Sequence, residues 1–499
     1  MRNNCLFAAV ILCVSAFCAQ AQYLPDSTAA SGSPTVLTLD EALKIALSEN
    51  VSVKVADQEI QRSEYARRGS YAALFPQING TGSYQRAIRK QVMYMGGGDD
   101  SGGSSGSSGM FDSILTPIMY YINQLYAGTG VPFVPYVPDD PAEEEGGDGG
   151  IEVGRTNTFS FGLSAAMPLV NVQLWESLRL SGQQVELSVE QARESRLNTV
   201  TQVKQAFYAA LLAKEAFEVY REVYENAVVN FNRTESRYKA DKASELEYTR
   251  AKAGVAAAIP NVYNAESSVI LALWQLKAVM GVDLDRDIDV AGQLGDYAET
   301  MFRDLEEGSG LGLEGNSSLK QLALQAEQLA TSIRMQQYAY LPTLSLSFSY
   351  SVNAMANNFQ FNQYHWTPYS FIGLSLSIPI FSGGQRYYQI RQTRVQADEL
   401  ALQRVNAERQ LKIGIRQSLQ TMETAMKSHA AATDAVATAR KAYDITAKSY
   451  QVGRSTFAEL NDAQLALTQT QLQASQAIYN FVVAKAALEQ TLGCDFIGQ

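Results

Sequence analysis

A chain of 499 residues that is 46% hydrophobic and 18% charged has the length of two or three ordinary domains or of one large elongated one. Beyond the first two dozen residues no apolar run approaches the ~18 residues a spanning helix needs, and mean hydropathy is −0.14, which excludes a helical membrane protein. Forty bases against 51 acids, a net charge of −11, equally exclude a nucleic-acid surface, which needs a basic stripe to neutralise phosphates.

Met1 to Ala21 carries Arg2, an apolar stretch from Leu6 to Phe17 and the small-x-small Ala19-Gln20-Ala21, the makeup of a secretory signal peptide. The mature chain then starts near Gln22, with residues 22–36 as a linker. Phe17 stands where lipidation of Cys18 wants a small residue, so Cys18 is read as unmodified. Three of the four cysteines fall in this segment, leaving Cys494 alone and no intrachain disulfide.

The rest of the chain is an internal repeat. Asn50, Phe75-Pro76 and Tyr84 recur 266 residues later as Asn316, Leu341-Pro342 and Tyr350. Phe161-Gly162-Leu163-Ser164 with Pro168 recurs 211 residues later as Ile372-Gly373-Leu374-Ser375 with Pro379. Tyr238, Ala251, Gly281 and Asp283 match Tyr450, Ala463, Gly493 and Asp495 at a shift of 212. The copies span residues 37–285 and 316–495, joined by a linker over 286–315 and followed by a tail over 496–499; each reads as helix, strand, loop, strand and long helices.

Four strands are expected. Thr343 to Tyr350, Ile372 to Pro379 and Phe159 to Pro168 alternate strictly, with aliphatic or Phe side chains on one face and small, mostly polar ones on the other. Ile78 to Tyr84 is Gly-rich and the weakest. With their flanks these are the length that crosses a bilayer when tilted; on pattern alone, soluble hairpins packed on a core are the alternative. Between the first two strands lies an insert, residues 90–154, holding ten acids and no Lys or Arg from Gln91 to Gly154. Its Gly/Ser tract and Pro/Glu segment predict a mobile loop, with Met110 to Tyr126 as a short helix. The corresponding loop of the second copy, Asn353 to Pro368, is aromatic and is expected to pack at the sheet's rim.

Long helices are expected over Gln173 to Lys239 and Gln385 to Gln451, rich in Ala, Gln, Glu, Lys and Leu and on the order of 100 Å each. In the last helix Leu460, Leu467, Ala474, Phe481 and Leu488 recur every seven residues, as do Leu465, Leu472, Tyr479, Ala486 and Gly493 on the opposite flank. Apolar seams on both flanks suit a single-layer wall of helices, with a helix buried in a bundle as the alternative. Pro260 predicts a kink in its helix. If the strands cross a membrane, four per chain cannot close a barrel, because open edges in lipid are costly, and several chains must pool theirs.

Leu39-Asp40-Glu41-Ala42-Leu43 leading to Asn50, Leu74-Phe75-Pro76 and Tyr340-Leu341-Pro342 before strands, Ile378-Pro379-Ile380-Phe381 before a long helix, and Tyr450-Gln451-Val452-Gly453-Arg454-Ser455-Thr456 at a helix turn together resemble the TolC family of outer-membrane efflux proteins. The resemblance implies a mainly α fold with membrane β: an internally duplicated chain, long helices forming an α-helical barrel in the periplasm, and four strands contributing to a twelve-stranded, trimeric outer-membrane β-barrel surrounded by lipid. It implies a passive exit duct for efflux or type I secretion, partnered by a periplasmic adaptor and an inner-membrane pump or transporter. By the same resemblance Glu459 and Asp462 form the periplasmic gate, a homotrimer gathering six carboxylates, and the tips Val452, Gly453, Arg454, Ser455 and Thr456 with Ala240, Asp241 and Lys242 contact the adaptor. One departure is that Gly453 is matched by Asp241, so the first-copy turn lacks its glycine.

No catalysis is expected. There is no phosphate-binding G-x-x-x-x-G-K-[ST], and His365 and His429 lack partners at metal spacing, so neither cofactor nor metal is anticipated. A trimeric adhesin with a helical stalk and a soluble periplasmic coiled-coil scaffold remain as alternatives to the duct.

Overall fold

The structure, a computed structural model, describes residues 35–93, 151–301, 303–304 and 312–493. The expectations for the signal peptide, for the Gly/Ser, apolar and Pro/Glu parts of the acidic insert, and for Cys494 concern residues outside these. The chain forms two units: one of helices, from residues 1–73, 171–343 and 378–499, and one of strands, from 74–170 and 344–377. Each draws on both sequence copies.

Two through-helices dominate the helical unit. α3 (Val172–Lys239) has 68 residues and α6 (Gln385–Gln451) 67, on the order of 100 Å each, in close agreement with the spans read from the sequence. Shorter helices lie along them: α2 (Val51–Ala72) and α4 (Glu245–Met280) along α3, α5 (Ser317–Tyr338) and α7 (Phe457–Leu492) along α6. Among the described residues no helix is long and apolar enough to cross a membrane. α4 continues as helix through Pro260, whose ring leaves the carbonyl one turn earlier without its donor.

The short helices meet end to end through one asparagine in each case. Asn50 caps α2 by accepting from the Ser52 and Val53 amides, and its Nδ2 donates to the Val279 carbonyl in the last turn of α4 at 2.6 Å. Asn316 caps α5 by accepting from the Leu319 amide, and its Nδ2 donates to the Thr491 carbonyl in the last turn of α7 at 2.7 Å. Approach is so close that a Cβ at Gly281 would stand 2.8 Å from the Glu49 carbonyl oxygen, and one at Gly493 2.2 Å from that of Gly315.

The largest core lies around these junctions. α1 (Leu39–Glu49), opened by the capping box of Thr38 and Glu41, buries Ala42, Leu43 and Ala46 beside Val203, Phe207 and Leu211 of α3, Leu276 and Met280 of α4, Met422 of α6 and Phe481 of α7. The parallel pair β1 (Thr35–Leu37) and β6 (Ile288–Val290) adds Leu37, Ile288 and Val290. Lys204 and Glu489 pair at 2.6 Å, Lys485 and Asp304 at 2.8 Å. Burial pushes the Tyr208 phenol well above its ordinary range, with Tyr297 and the nearby Glu489, Asp304 and Asp40 adding to the shift.

Of the two seams of α7, Leu460, Leu467, Phe481 and Leu488 are buried within the chain; on the opposite flank Ala486 and Gly493 are buried, Leu472 and Tyr479 half-buried, and Leu465 is 58% exposed.

In the other unit, β2 (Gln77–Arg86), β5 (Asn157–Val170), β7 (Thr343–Ala356) and β8 (Thr367–Ser377) form one sheet in the order β2-β5-β7-β8. A separate small ladder joins β3 (Gln91–Met93) to β4 (Ile151–Val153). β5 and β7 run 14 residues each, longer than expected. The antiparallel register aligns Ile78 with Ala165, Gly80 with Leu163 and Tyr84 with Phe159, and Phe161 with Val352, Leu163 with Tyr350 and Ala165 with Phe348. Facing residues in such a ladder share a face, so the apolar rows of successive strands coincide.

Candidate functional site

Two places bear on function: the far ends of the helical hairpins and the two faces of the sheet.

α3 ends in a turn set by two backbone bonds, from the Asp241 amide to the Tyr238 carbonyl at 2.9 Å and from the Lys242 amide to the Arg237 carbonyl at 2.8 Å. α6 ends in the same way, the Gly453 amide donating to Tyr450 at 3.0 Å and the Arg454 amide to Ser449 at 2.8 Å. This is a Schellman closure, whose pivotal residue takes a left-handed conformation. Asp241 has φ 53° and Gly453 φ 75°. The missing glycine therefore does not change the turn: aspartate, whose short polar side chain tolerates this region, fills the place. Each chain segment then re-enters a helix through a side-chain cap, Ser244 accepting from the Glu247 amide and Thr456 from the Glu459 amide.

Of the residues singled out from the sequence, Ala240, Asp241, Lys242, Val452, Gly453, Arg454 and Thr456 are exposed and Ser455 is half-buried. Glu459 and Asp462 are exposed and lie three residues apart on the first turns of α7, a spacing that sets them on one flank. Glu459 also closes the helix start, since its Oε2 accepts from the Thr456 amide at 2.8 Å and completes a capping box.

The turns of both hairpins lie at one end of the helical unit because side chains below them join the hairpins. The hydroxyls of Thr234 and Tyr450 are 2.9 Å apart, both buried. Phe457 packs into the space left by Gly254, where a Cβ would come 3.1 Å from its ring. Within the first hairpin, Tyr238 of α3 stacks on Tyr248 of α4 with ring centroids 5.0 Å apart. Thr234, Gly254, Tyr248 and Phe457 escaped the sequence reading; Tyr238 was noticed only as a recurrence, and Tyr450 as a recurrence and as the first residue of the helix-turn motif.

The sheet separates two chemistries. One face carries Ile78, Phe159, Phe161, Leu163, Met167, Leu346, Phe348, Tyr350 and Val352; a Cβ at Gly80 or Gly82 would meet Leu163 or Phe161. The other carries Asn79, Thr81, Ser83, Thr158, Ser160, Ser164, Ser345, Ser347, Ser349, Ser351 and Asn353. On β8, a Cβ at Gly373 would meet the Ser347 hydroxyl at 3.4 Å, so Gly373 belongs to the polar face and Ile372, Leu374 and Leu376 to the apolar one. Ile78, Leu163, Phe348, Ile372, Leu374 and Leu376 are all exposed, an apolar patch of the kind that marks a contact with membrane or protein.

At one end of the apolar face the loop 357–366 lays its rings on the sheet. Phe159 stacks on Tyr84 at 4.8 Å and meets Phe361 at 5.3 Å and Tyr364 at 5.5 Å, while Phe161 meets Trp366 at 5.8 Å. The Tyr84 hydroxyl donates to buried Asn157 Oδ1 at 2.8 Å. Amphipathic rings at the end of an apolar band are the usual marker of a lipid–water boundary.

Among the described residues no group of three or more His, Cys, Asp or Glu could hold a metal ion. His365 lies in the loop before β8, and His429 sits on α6, where burial lowers its pKa.

A long-helix unit with a sheet that is apolar on one side and polar on the other defines a membrane channel component, and the chain belongs to the outer membrane efflux protein family, whose model matches residues 141–282 and 310–494. It is an outer-membrane efflux channel, not an enzyme. Outer membrane protein TolC of Escherichia coli is 22% identical over 350 residues, covering 68% of this chain and 70% of TolC. The alkaline protease secretion protein AprF of Pseudomonas aeruginosa is 23% identical over 333 residues, 65% of this chain and 68% of AprF. The fold resembles the Campylobacter jejuni CmeC outer membrane channel with a TM-score of 0.63 at 15% identity, over 95% of this chain and 93% of that one.

Proposed function

We propose that the chain assembles as a homotrimer whose three sheets close a twelve-stranded barrel in the outer membrane, with the helices forming a hollow barrel in the periplasm. The observation that carries this reading is the sheet itself: four strands, both outer edges (β2 and β8) without a partner strand among the described residues, one face apolar and exposed, the other polar. Unpaired edges in lipid cost several kcal/mol per group, roughly, and three copies remove all of them. The apolar face then meets lipid and the polar face water.

In this reading the chain is an internal duplication of residues 37–285 and 316–495, and its paired contacts at Asn50 and Asn316 support that. The duct is passive. A periplasmic adaptor contacts Val452 to Thr456 and Ala240 to Lys242, an inner-membrane pump or transporter supplies the energy, and Glu459 and Asp462 ring the narrowest point at the periplasmic tip. Threefold symmetry brings their like charges together, favouring cations and repelling one another. The common backbone of the two turns supports adaptor contact at both.

The test is planar-bilayer conductance of the purified protein with Glu459→Gln and Asp462→Asn together. Glutamine can keep the capping box, so the double variant alters charge with little change to the helix start. Conductance rises and divalent-cation block weakens if these carboxylates form the gate; unchanged values in both remove the assignment. A protein that fails to partition with the outer membrane, or never conducts, overturns the duct.

A further inference from the structure

The polar face of the sheet has an exception. Along β8 the positions on that face include Tyr369, Phe371, Gly373 and Ser375, so two large rings stand beside a stretch of β7 that presents the hydroxyls of Ser347, Ser349 and Ser351. The rings lie 5.8 Å apart at an interplanar angle of 43°. Tyr369 is 62% exposed and Phe371 46%, so neither is held by a core.

Their surroundings are those of a ligand site open on one side. The Ser347 hydroxyl donates to the Gly373 carbonyl at 3.3 Å and the Thr367 hydroxyl to that of Asn353 at 3.0 Å. Both contacts fit one antiparallel register, which places Ser349 beside Phe371 and Ser351 beside Tyr369. Gly373 leaves a notch next to the Phe371 ring, 4.0 Å from where its Cβ would be. The site thus offers two π faces, a floor without a side chain and a row of hydroxyls.

We propose that Tyr369 and Phe371 form a stacking site for planar aromatic cations on the water-filled side of the barrel. The proposal rests on the duct reading, in which the polar face lines the lumen. Ring faces carry negative electrostatic potential and attract cations, most strongly where the cation is itself flat and poorly hydrated. The polar rows of the sheet hold no charged side chain, so no local positive charge opposes such a ligand. In a trimer six rings would line one level of the lumen, slowing a flat cation without binding it irreversibly.

The experiment measures block of single-channel current by ethidium, with Mg²⁺ as a strongly hydrated cation that cannot stack. Tyr369→Ser combined with Phe371→Ser replaces the rings with the residue that dominates the face. Ethidium should block the natural protein and bind about fivefold to thirtyfold more weakly to the double variant, the loss of two ring–cation contacts; Tyr369→Phe should retain the block, and block by Mg²⁺ should be unaffected throughout. Equal ethidium block in natural and serine proteins overturns the site and leaves the duct intact. Absence of conductance in the natural protein overturns the duct and the site with it. Should the double variant fail to insert, Tyr369→Ser alone carries the same comparison.

Discussion

Asp241, with φ at 53°, holds in its turn the left-handed place that Gly453, at 75°, holds in the other. The two turns have the same hydrogen bonds and differ in what the pivotal residue costs. A left-handed conformation costs an L-residue roughly 1 kcal/mol and glycine nothing. Asp241→Gly should therefore slow amide exchange at Lys242, and Gly453→Ala should speed it at Arg454, each by about fivefold. Mass-spectrometric hydrogen exchange over the two turns checks this, and equal rates in parent and variants would refute it.

Asn50 and Asn316 each need both ends of the side-chain amide, one to cap a helix and the other to reach a carbonyl in the last turn of a helix that comes much later in the chain. Aspartate keeps the cap but turns the donor into an acceptor facing a carbonyl. Asn50→Asp and Asn316→Asp should each destabilise the protein by about 2 kcal/mol, at least as much as alanine does, because a buried carbonyl is left unpaired against a carboxylate. Thermal unfolding of the detergent-solubilised protein would show it; an aspartate variant as stable as the parent would mean the donated bond is idle.

The hairpins are tied below their turns by Thr234 with Tyr450 and by Phe457 on Gly254. Tyr450→Phe removes one hydrogen bond while Thr234 keeps its bond to the Asn230 carbonyl, so the cost should be about 1 kcal/mol. Gly254→Leu fills the space that Phe457 occupies and should separate the hairpins further. Faster exchange in both turns, with Gly254→Leu the larger effect, is the expected result.

Tyr208 ties stability to alkaline pH. Its phenol is pushed up by burial from an ordinary value of 10.0, so the folded chain keeps a proton that the unfolded chain releases. The stabilisation is complete below about pH 10 and is lost as pH rises above that value. Tyr208→Phe should make the decline in melting temperature between pH 9 and 11 less steep, the remainder coming from Tyr297 and Tyr443, whose phenols burial also raises.

The elements themselves were legible in the sequence because their signals are local. Strict alternation in Thr343 to Tyr350 marked a two-faced strand, and an almost unbroken run of helix formers from Gln385 to Gln451 marked its helix to the residue. The recurrence of Asn50 as Asn316 and of Gly281 as Gly493 was visible too, as was the set of motifs that points to the family. What could not be read was why those residues recur. The contacts between Asn50 and Val279, Thr234 and Tyr450, and Phe457 and Gly254 join positions more than two hundred residues apart, and no periodicity in the chain reports which helix end meets which. The same holds for Asp241, which left the first-copy turn without the glycine of its counterpart: backbone bonds from Asp241 and Lys242 close the turn regardless. Tertiary structure alone also set the sheet order, and with it the merging of four separate alternations into one apolar and one polar surface, since register depends on partners brought together only by the folded chain.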